Sequence, residues 1–265
     1  MKLQIVPART GFLWVKLGIQ AYFKQPLAMT GLFFLFMAAL SVINLVPLLG
    51  NFVALALLPT MALGLMMATH EASQGRFPQP TVLYKAFRAD PQRLRGMLVL
   101  GVMYAAGFVL LLGITSLVDG GEFVRRFLGL GGSASQSDSP LELQQGMLVF
   151  MALHLPLSLA FWHAPALVHW HGITPGKSVF FSLVACWRNK GAYMVFGFTW
   201  FALVMVGGLV VQILAMLLSL PALMGVGILV LTLLTTSMFL TSIYFTFRDS
   251  FTADPAEEAV PIAIE

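Results

Sequence analysis

The sequence predicts an all-α membrane protein: six transmembrane helices, with amphipathic helices lying on the cytoplasmic surface. Three observations carry this reading. Apolar residues fill 58% of the 265 positions and charged residues only 10%, against about 25% charged in a soluble domain. Six apolar runs lie at 27–45, 52–69, 97–117, 147–166, 193–217 and 222–246. A helix rising about 1.5 Å per residue needs roughly 20 residues to cross about 30 Å of hydrocarbon. Backbone in lipid has no water to bond, so runs of this length are helices. The third observation is the placement of charge. Thirteen of the fifteen lysines and arginines fall in alternate connections: Lys2, Arg9, Lys16 and Lys24; then Arg76, Lys85, Arg88, Arg93 and Arg95; then Lys177, Arg188 and Lys190; then Arg248. Arg125 and Arg126 lie on the other side. Cationic flanks stay in the cytoplasm, so both termini are expected there.

In chain order, the N-terminal stretch Thr10–Lys24 places Lys16, Gln20 and Lys24 in one polar stripe, with Phe12, Leu13, Trp14, Leu17, Ile19 and Phe23 over the rest. This pattern suits a helix lying in the membrane interface. The first two runs follow, joined by an uncharged turn. Thr81–Arg88 repeats the amphipathic pattern before the third run, and Gly176–Asn189 repeats it before the fifth. In that last segment Phe180, Phe181, Val184 and Trp187 form the apolar side, and Lys177, Ser178 and Ser182 the polar side. Each segment ends on an aromatic and a base (Phe23-Lys24, Phe87-Arg88, Trp187-Arg188), with Pro26, Pro91 or Gly191 close behind. The expectation is a threefold repeat of an interfacial helix plus a membrane hairpin. The 118–146 connection is the one sizeable external loop. Its stretch 129–140, GLGGSASQSDSP, reads as flexible, and Glu122–Leu128 as a short surface helix. Residues 1–251 form one membrane domain and 252–265 a disordered cytoplasmic tail. Met1–Lys24 lacks the pattern of a cleavable signal peptide.

Ala164–Tyr193 (APALVHWHGITPGKSVFFSLVACWRNKGAY), Leu45–Gly64 (LVPLLGNFVALALLPTMALG) and the Trp14, Phe23, Pro26 entry into the first span resemble an uncharacterised family of bacterial six-span inner-membrane proteins. The resemblance covers essentially the whole chain. That family is in turn distantly similar to the membrane domain beside some bacterial glycerophosphodiester phosphodiesterases. The catalytic domain of those enzymes is absent here, so the resemblance implies topology and location and carries over no activity and no functional residues.

Chemistry-bearing residues are few. His163, His169 and His171 cluster, and His70 and Glu71 end the second span on the same side. Imidazoles and a carboxylate at a membrane surface are a candidate zinc or copper site or a proton relay. The metal reading requires His70, His163 and either His169 or His171 to converge. His163 and His169 stand about 240° apart on an ideal helix. The alternative is that these residues, with Trp162 and Trp170, anchor helix ends. His154 is the deepest ionisable group, a functional candidate by position, with a neutral histidine bonded to a neighbouring helix as the alternative. Pro59 and Pro156 fall inside spans, where each frees a carbonyl and marks either a substrate site or a bundle-shaping kink. Lys16, Lys24, Lys85, Arg88, Arg93, Arg95 and Arg188 form a lipid-headgroup face. Gly101-xxx-Ala105 and Gly197-xxx-Phe201 are candidate close helix contacts. Asn44, Asn51, Gln212 and Thr235 are candidate interhelical hydrogen-bonders. Asp119 and Glu122 read as solvated loop acids.

The chain has one cysteine, Cys186, which excludes an internal disulfide and cysteine-pair zinc frameworks. GxSxG, Walker, HExxH and CxxC patterns are absent, so no catalytic residue and no cofactor is assigned. The net charge of +4 reflects flanks facing anionic lipid, not a nucleic-acid partner. The partners expected are the bilayer and a membrane-protein partner or second copy. The function expected is a non-catalytic support or assembly role, with a transporter or lipid-handling protein as the alternative.

Overall fold

A computed structural model describes residues 2–46, 49–85, 90–128 and 140–252. Eleven helices are described: α1 (Thr10–Lys24), α2 (Pro26–Ile43), α3 (Leu49–Ser73), α4 (Val82–Lys85), α5 (Pro91–Asp119), α6 (Glu122–Phe127), α7 (Pro140–Phe161), α8 (Ala164–His171), α9 (Pro175–Arg188), α10 (Lys190–Leu217) and α11 (Pro221–Ser250). Two short strands, β1 (Lys2–Leu3) and β2 (Phe251–Thr252), complete the set. Six segments are long and apolar enough to cross a membrane: α2, α3, α5, α7 continued by α8, α10 and α11. They coincide with the six apolar runs. Prolines open α2, α5, α9 and α11 in their first turn, where the missing N–H costs nothing. Asp90 also caps α5, its Oδ1 accepting from Gln92 N–H at 2.8 Å and Arg93 N–H at 3.3 Å.

The spans pack in the sequence α10, α11, α3, α5, α7, with α2 against α3. The helix α3 is the most deeply buried span. Helix α1 packs across α10 and α11, and two glycines permit the close approach. A Cβ on Gly11 would collide with the Ala192 carbonyl, and one on Gly18 with Ser242. Gly101 plays the same part between α5 and α3, where a Cβ would overlap the Ala56 carbonyl oxygen. The Gly101-xxx-Ala105 expectation therefore holds, with Ala105 fully buried. Gly197 faces open space and Phe201 is exposed, so the second expected contact does not form. Thr235 bonds the Leu231 carbonyl of its own helix at 2.7 Å rather than a neighbouring one.

The first and last described residues meet on one face, called here the terminus side. Strands β1 and β2 pair antiparallel, Lys2 opposite Thr252 and Leu3 opposite Phe251. Asn189 fastens the N-terminal strand: its Oδ1 accepts the Val6 N–H at 2.9 Å and its Nδ2 donates to the Gln4 carbonyl at 3.0 Å. Thr252, expected in the tail, is thus part of a strand. Residues 253–265, the 129–139 part of the expected flexible loop, and Phe87 and Arg88 lie outside the described residues.

The amphipathic segments α1 and α9 each bury one face against the bundle. In α9 the bundle-facing residues are Ser178, Ser182, Ala185 and Cys186, while Phe180 is 61% and Trp187 68% exposed. In α1 the buried face is Gly11, Trp14, Val15, Gly18, Ala21 and Tyr22, and Phe12 and Phe23 point outward. Phenyl groups facing lipid lose nothing, whereas serine hydroxyls in lipid lack partners. The serines therefore turn inward, where Ser182 donates to the Leu159 carbonyl of α7 at 2.8 Å and Ser178 to the Pro175 carbonyl of its own helix at 2.7 Å.

Candidate functional site

A cleft of about 870 Å³ lies in the half of the bundle far from the termini. It lies between α2, α3 and α5, with α6 at one end. Its walls are apolar: Leu40 from α2, Leu55 and Leu58 from α3, Phe108 and Leu112 from α5. Asn44, Asn51 and Ser116 supply polar groups at the far end. Val109 is 50% and Phe52 39% exposed, so the cleft opens onto the surroundings of the bundle. Gly113 lines it with no atom within 4 Å of where a side chain would project. Pro59, buried in α3, removes the N–H that would bond the Leu55 carbonyl, one residue of the cleft wall. An opening of this size and polarity suits an acyl chain or a similar apolar ligand, within the ~300–1,000 Å³ of ordinary ligand pockets.

The α6 cap is built by two acids. Asp119 is buried, and its carboxylate accepts from the Gly121 N–H at 2.9 Å and the Phe123 N–H at 2.8 Å. Gly120 and Gly121 both adopt positive φ, 63° and 86°, a turn that favours glycine at each position. Glu122 bonds Arg126 at 2.7 Å and Arg125 at 2.8 Å. The Arg126 bond, joined by Arg125, holds the Glu122 carboxyl below the usual carboxylate range. Neither acid is a solvated loop residue: one shapes the turn and the other pairs with both far-side arginines. The side of α6 bearing Val124 and Phe127 then faces the cleft.

His154 sits behind the cleft wall. Its ring stacks on Phe150 at 5.3 Å and meets Phe108 edge-on at 5.8 Å. Its Nδ1 lies 3.2 Å from Ser158 Oγ, on its own helix rather than a neighbouring one. Pro156 lies inside α7 on its exposed side, away from the cleft.

His163 marks a break between α7 and α8. In an unbroken helix its N–H would bond the Leu159 carbonyl. Ser182 of α9 intervenes, its hydroxyl accepting the His163 N–H at 2.9 Å and donating to the Leu159 carbonyl at 2.8 Å. Insertion of a side chain into the helix ladder bends the helix, and Pro165 withholds the N–H for the Phe161 carbonyl. The His163 ring is fully buried, Nε2 2.5 Å from the Tyr193 hydroxyl. His70 is engaged elsewhere, Nδ1 2.7 Å from the Tyr244 hydroxyl. His169 is half-buried on α8. His171 shares a small terminus-side cleft with His70. Among the described residues no three metal-ligating side chains gather at one point, so the four histidines are not brought together as one group.

Of the headgroup-face bases, Lys16, Lys24, Lys85, Arg93, Arg95 and Arg188 are exposed. Lys24 donates to the Ser73 carbonyl at 2.8 Å, and Lys85 pairs with Glu71 at 3.0 Å. The cleft residues Phe108, Leu112 and Gly113 carry no signal in the sequence, because the cleft is lined by four separate helices, α2, α3, α5 and α6. Only Asn44 and Asn51 were marked, as interhelical hydrogen-bonders.

No protein-family model and no solved structure matches the chain. A curated relative does: a probable inner membrane protein of Burkholderia thailandensis, 34% identical over 255 residues, covering 95% of this chain and 94% of the relative. Identity at that level over nearly the full length of both, together with six membrane-spanning helices, places the chain in the family of that inner membrane protein, as a multi-pass protein of the bacterial inner membrane.

Proposed function

We propose that this protein is a non-catalytic lipid-handling protein that holds a lipid acyl chain in the far-side cleft. The single observation that carries the reading is the cleft itself: about 870 Å³, apolar along α2, α3 and α5, with Asn44, Asn51 and Ser116 at one end. A polar solute would strip water there without replacement bonds. An acyl chain enters from bilayer at little cost and leaves its polar head near the asparagines. The support or assembly role draws on the broad exposed faces of α10 and α11. Lipid tails cover such faces as well as a partner or second copy does, so exposure there does not favour a protein partner. The test is native mass spectrometry of the full chain extracted in mild detergent. The reading expects a stoichiometric lipid to stay bound; a stoichiometric protein partner and no lipid would favour assembly.

The order α1 with α2 and α3, α4 with α5 and α7, and α9 with α10 and α11 supports reading the bundle as three copies of one helix-plus-hairpin unit. The distant likeness to the membrane domain beside glycerophosphodiester phosphodiesterases belongs to the same proposal of ancestry, without their activity. The exposed bases serve as a headgroup face within it.

Both termini are assigned to the cytoplasm on the charge asymmetry, which puts the cleft in the periplasmic half. Cys186 makes this testable. It is buried, and burial pushes its thiol up to about 12, so it is inert to thiol reagents at neutral pH. A membrane-impermeant maleimide applied to intact cells is expected to label Arg125→Cys and spare Lys16→Cys. The reverse pattern would invert the topology.

A further inference from the structure

A second, smaller cleft lies on the opposite side of the molecule from the acyl cleft. It has a volume of about 310 Å³ and is formed where the end of α3, the end of α8 and the last turns of α11 meet. His70, Trp170, His171, Tyr244, Phe247 and Arg248 line it. Thirteen of the chain's fifteen lysines and arginines belong to this side by sequence position, so its field favours anions.

We propose that this cleft binds a phosphate-bearing group, through the Arg248 guanidinium and the His171 imidazole. The geometry assigns the parts. Arg248 is 45% exposed, and its Nε bonds Asp249 Oδ1 at 2.8 Å. A guanidinium has five N–H donors, so that bond leaves the donors of the two terminal nitrogens for an anion in the cleft that Arg248 lines. Planar, paired N–H groups match phosphate oxygens. Asp249 is held by a second bond, from Trp14 Nε1 at 3.0 Å, and Phe245 packs 5.0 Å beneath the guanidinium. Arg248 is therefore fixed from two sides. Its charge is shared with one carboxylate, and Glu71, the other acid near the cleft, is paired with Lys85. His70 is a positioning residue: its ring bonds the Tyr244 hydroxyl and Gln74 and sets the aromatic wall. Trp170 and Phe247, 5.1 Å apart, supply an apolar side. Arginine on a phosphate and aromatics on the adjoining carbon chain is the set that a phospholipid headgroup or a soluble phosphate ester needs.

The inference does not depend on the acyl cleft, and its test reads a different site. The full chain in maltoside micelles is titrated calorimetrically with inorganic phosphate and, separately, with a short-chain phosphatidylglycerol. Lipid binding that Arg248→Gln weakens, with no binding of phosphate, assigns the site to a headgroup, and such binding of both assigns it to the phosphate group from either source. Arg248→Gln is expected to weaken binding by about tenfold or more, the order of one charge-assisted bidentate contact. His171→Gln is expected to weaken it less. Lys177→Gln, exposed on the same side but outside both the cleft and the headgroup face, is expected to leave it unchanged. A thermal melt of each variant separates lost binding from lost folding. The proposal is overturned if neither probe binds, if Arg248→Gln binds as the parent does, or if Lys177→Gln loses as much.

Discussion

Gly101→Val is expected to abolish the folded bundle, while Gly113→Val, on the same helix, leaves it intact. A Cβ at Gly101 would overlap the Ala56 carbonyl oxygen, and the atom it meets is backbone of α3. Flexible side chains can move aside, which is why ordinary overpacking costs about 1–3 kcal/mol. A helix backbone has no such freedom: α3 and α5 must separate along their length. α3 packs against α2, α5 and α11, so the separation spreads through the bundle. Gly113 has nothing within 4 Å and tolerates the same valine. Size-exclusion chromatography of the two detergent-solubilised variants checks this: aggregation or loss of the Gly101 variant, and a parental elution profile for the Gly113 variant.

The open space at Gly113 carries the second large effect. Gly113→Trp is expected to remove the retained lipid without unfolding the protein. The indole projects from α5 into the acyl cleft, where it meets no atom near its root and an apolar wall beyond. It covers Leu112, Phe108 and Leu55 with protein carbon instead of lipid carbon, so packing is preserved while the ligand is displaced. Retained lipid is expected to fall by about tenfold or more, the ratio that ~1.4 kcal/mol of displaced contacts produces. Native mass spectrometry reads the loss, and an unchanged or raised melting temperature distinguishes filling from damage.

Much of the fold was legible because hydrocarbon imposes so few solutions. The six runs became six spans because unbonded backbone cannot lie in lipid, and alternate charged connections placed both termini on one side, where β1 and β2 now meet. The segments at the surface were harder. In α9 the sequence separates a phenyl side from a serine side but does not say what partners the serines find. Ser182 bonds the Leu159 carbonyl of α7, and Ser178 the Pro175 carbonyl of its own helix. The break at His163 was hidden for a related reason. Pro165 signalled a distortion, but the hydroxyl that bridges it comes from Ser182, 19 residues away. Asp119 looked like a loop acid and proves to be the cap that orders α6. The acyl cleft had no sequence signature, since leucine and phenylalanine read the same whether they face a neighbour, a gap or the bilayer.

The most direct test of the central claim is a cross-linking map. The full chain, in nanodiscs containing a phospholipid with a photoreactive group near the end of one acyl chain, is irradiated, digested and sequenced by mass spectrometry. The account predicts adducts concentrated on residues 52–58 of α3 and 108–116 of α5, and their loss in Gly113→Trp. Adducts spread evenly over the lipid-facing surfaces of α2, α10 and α11, with no excess at the cleft, would contradict it.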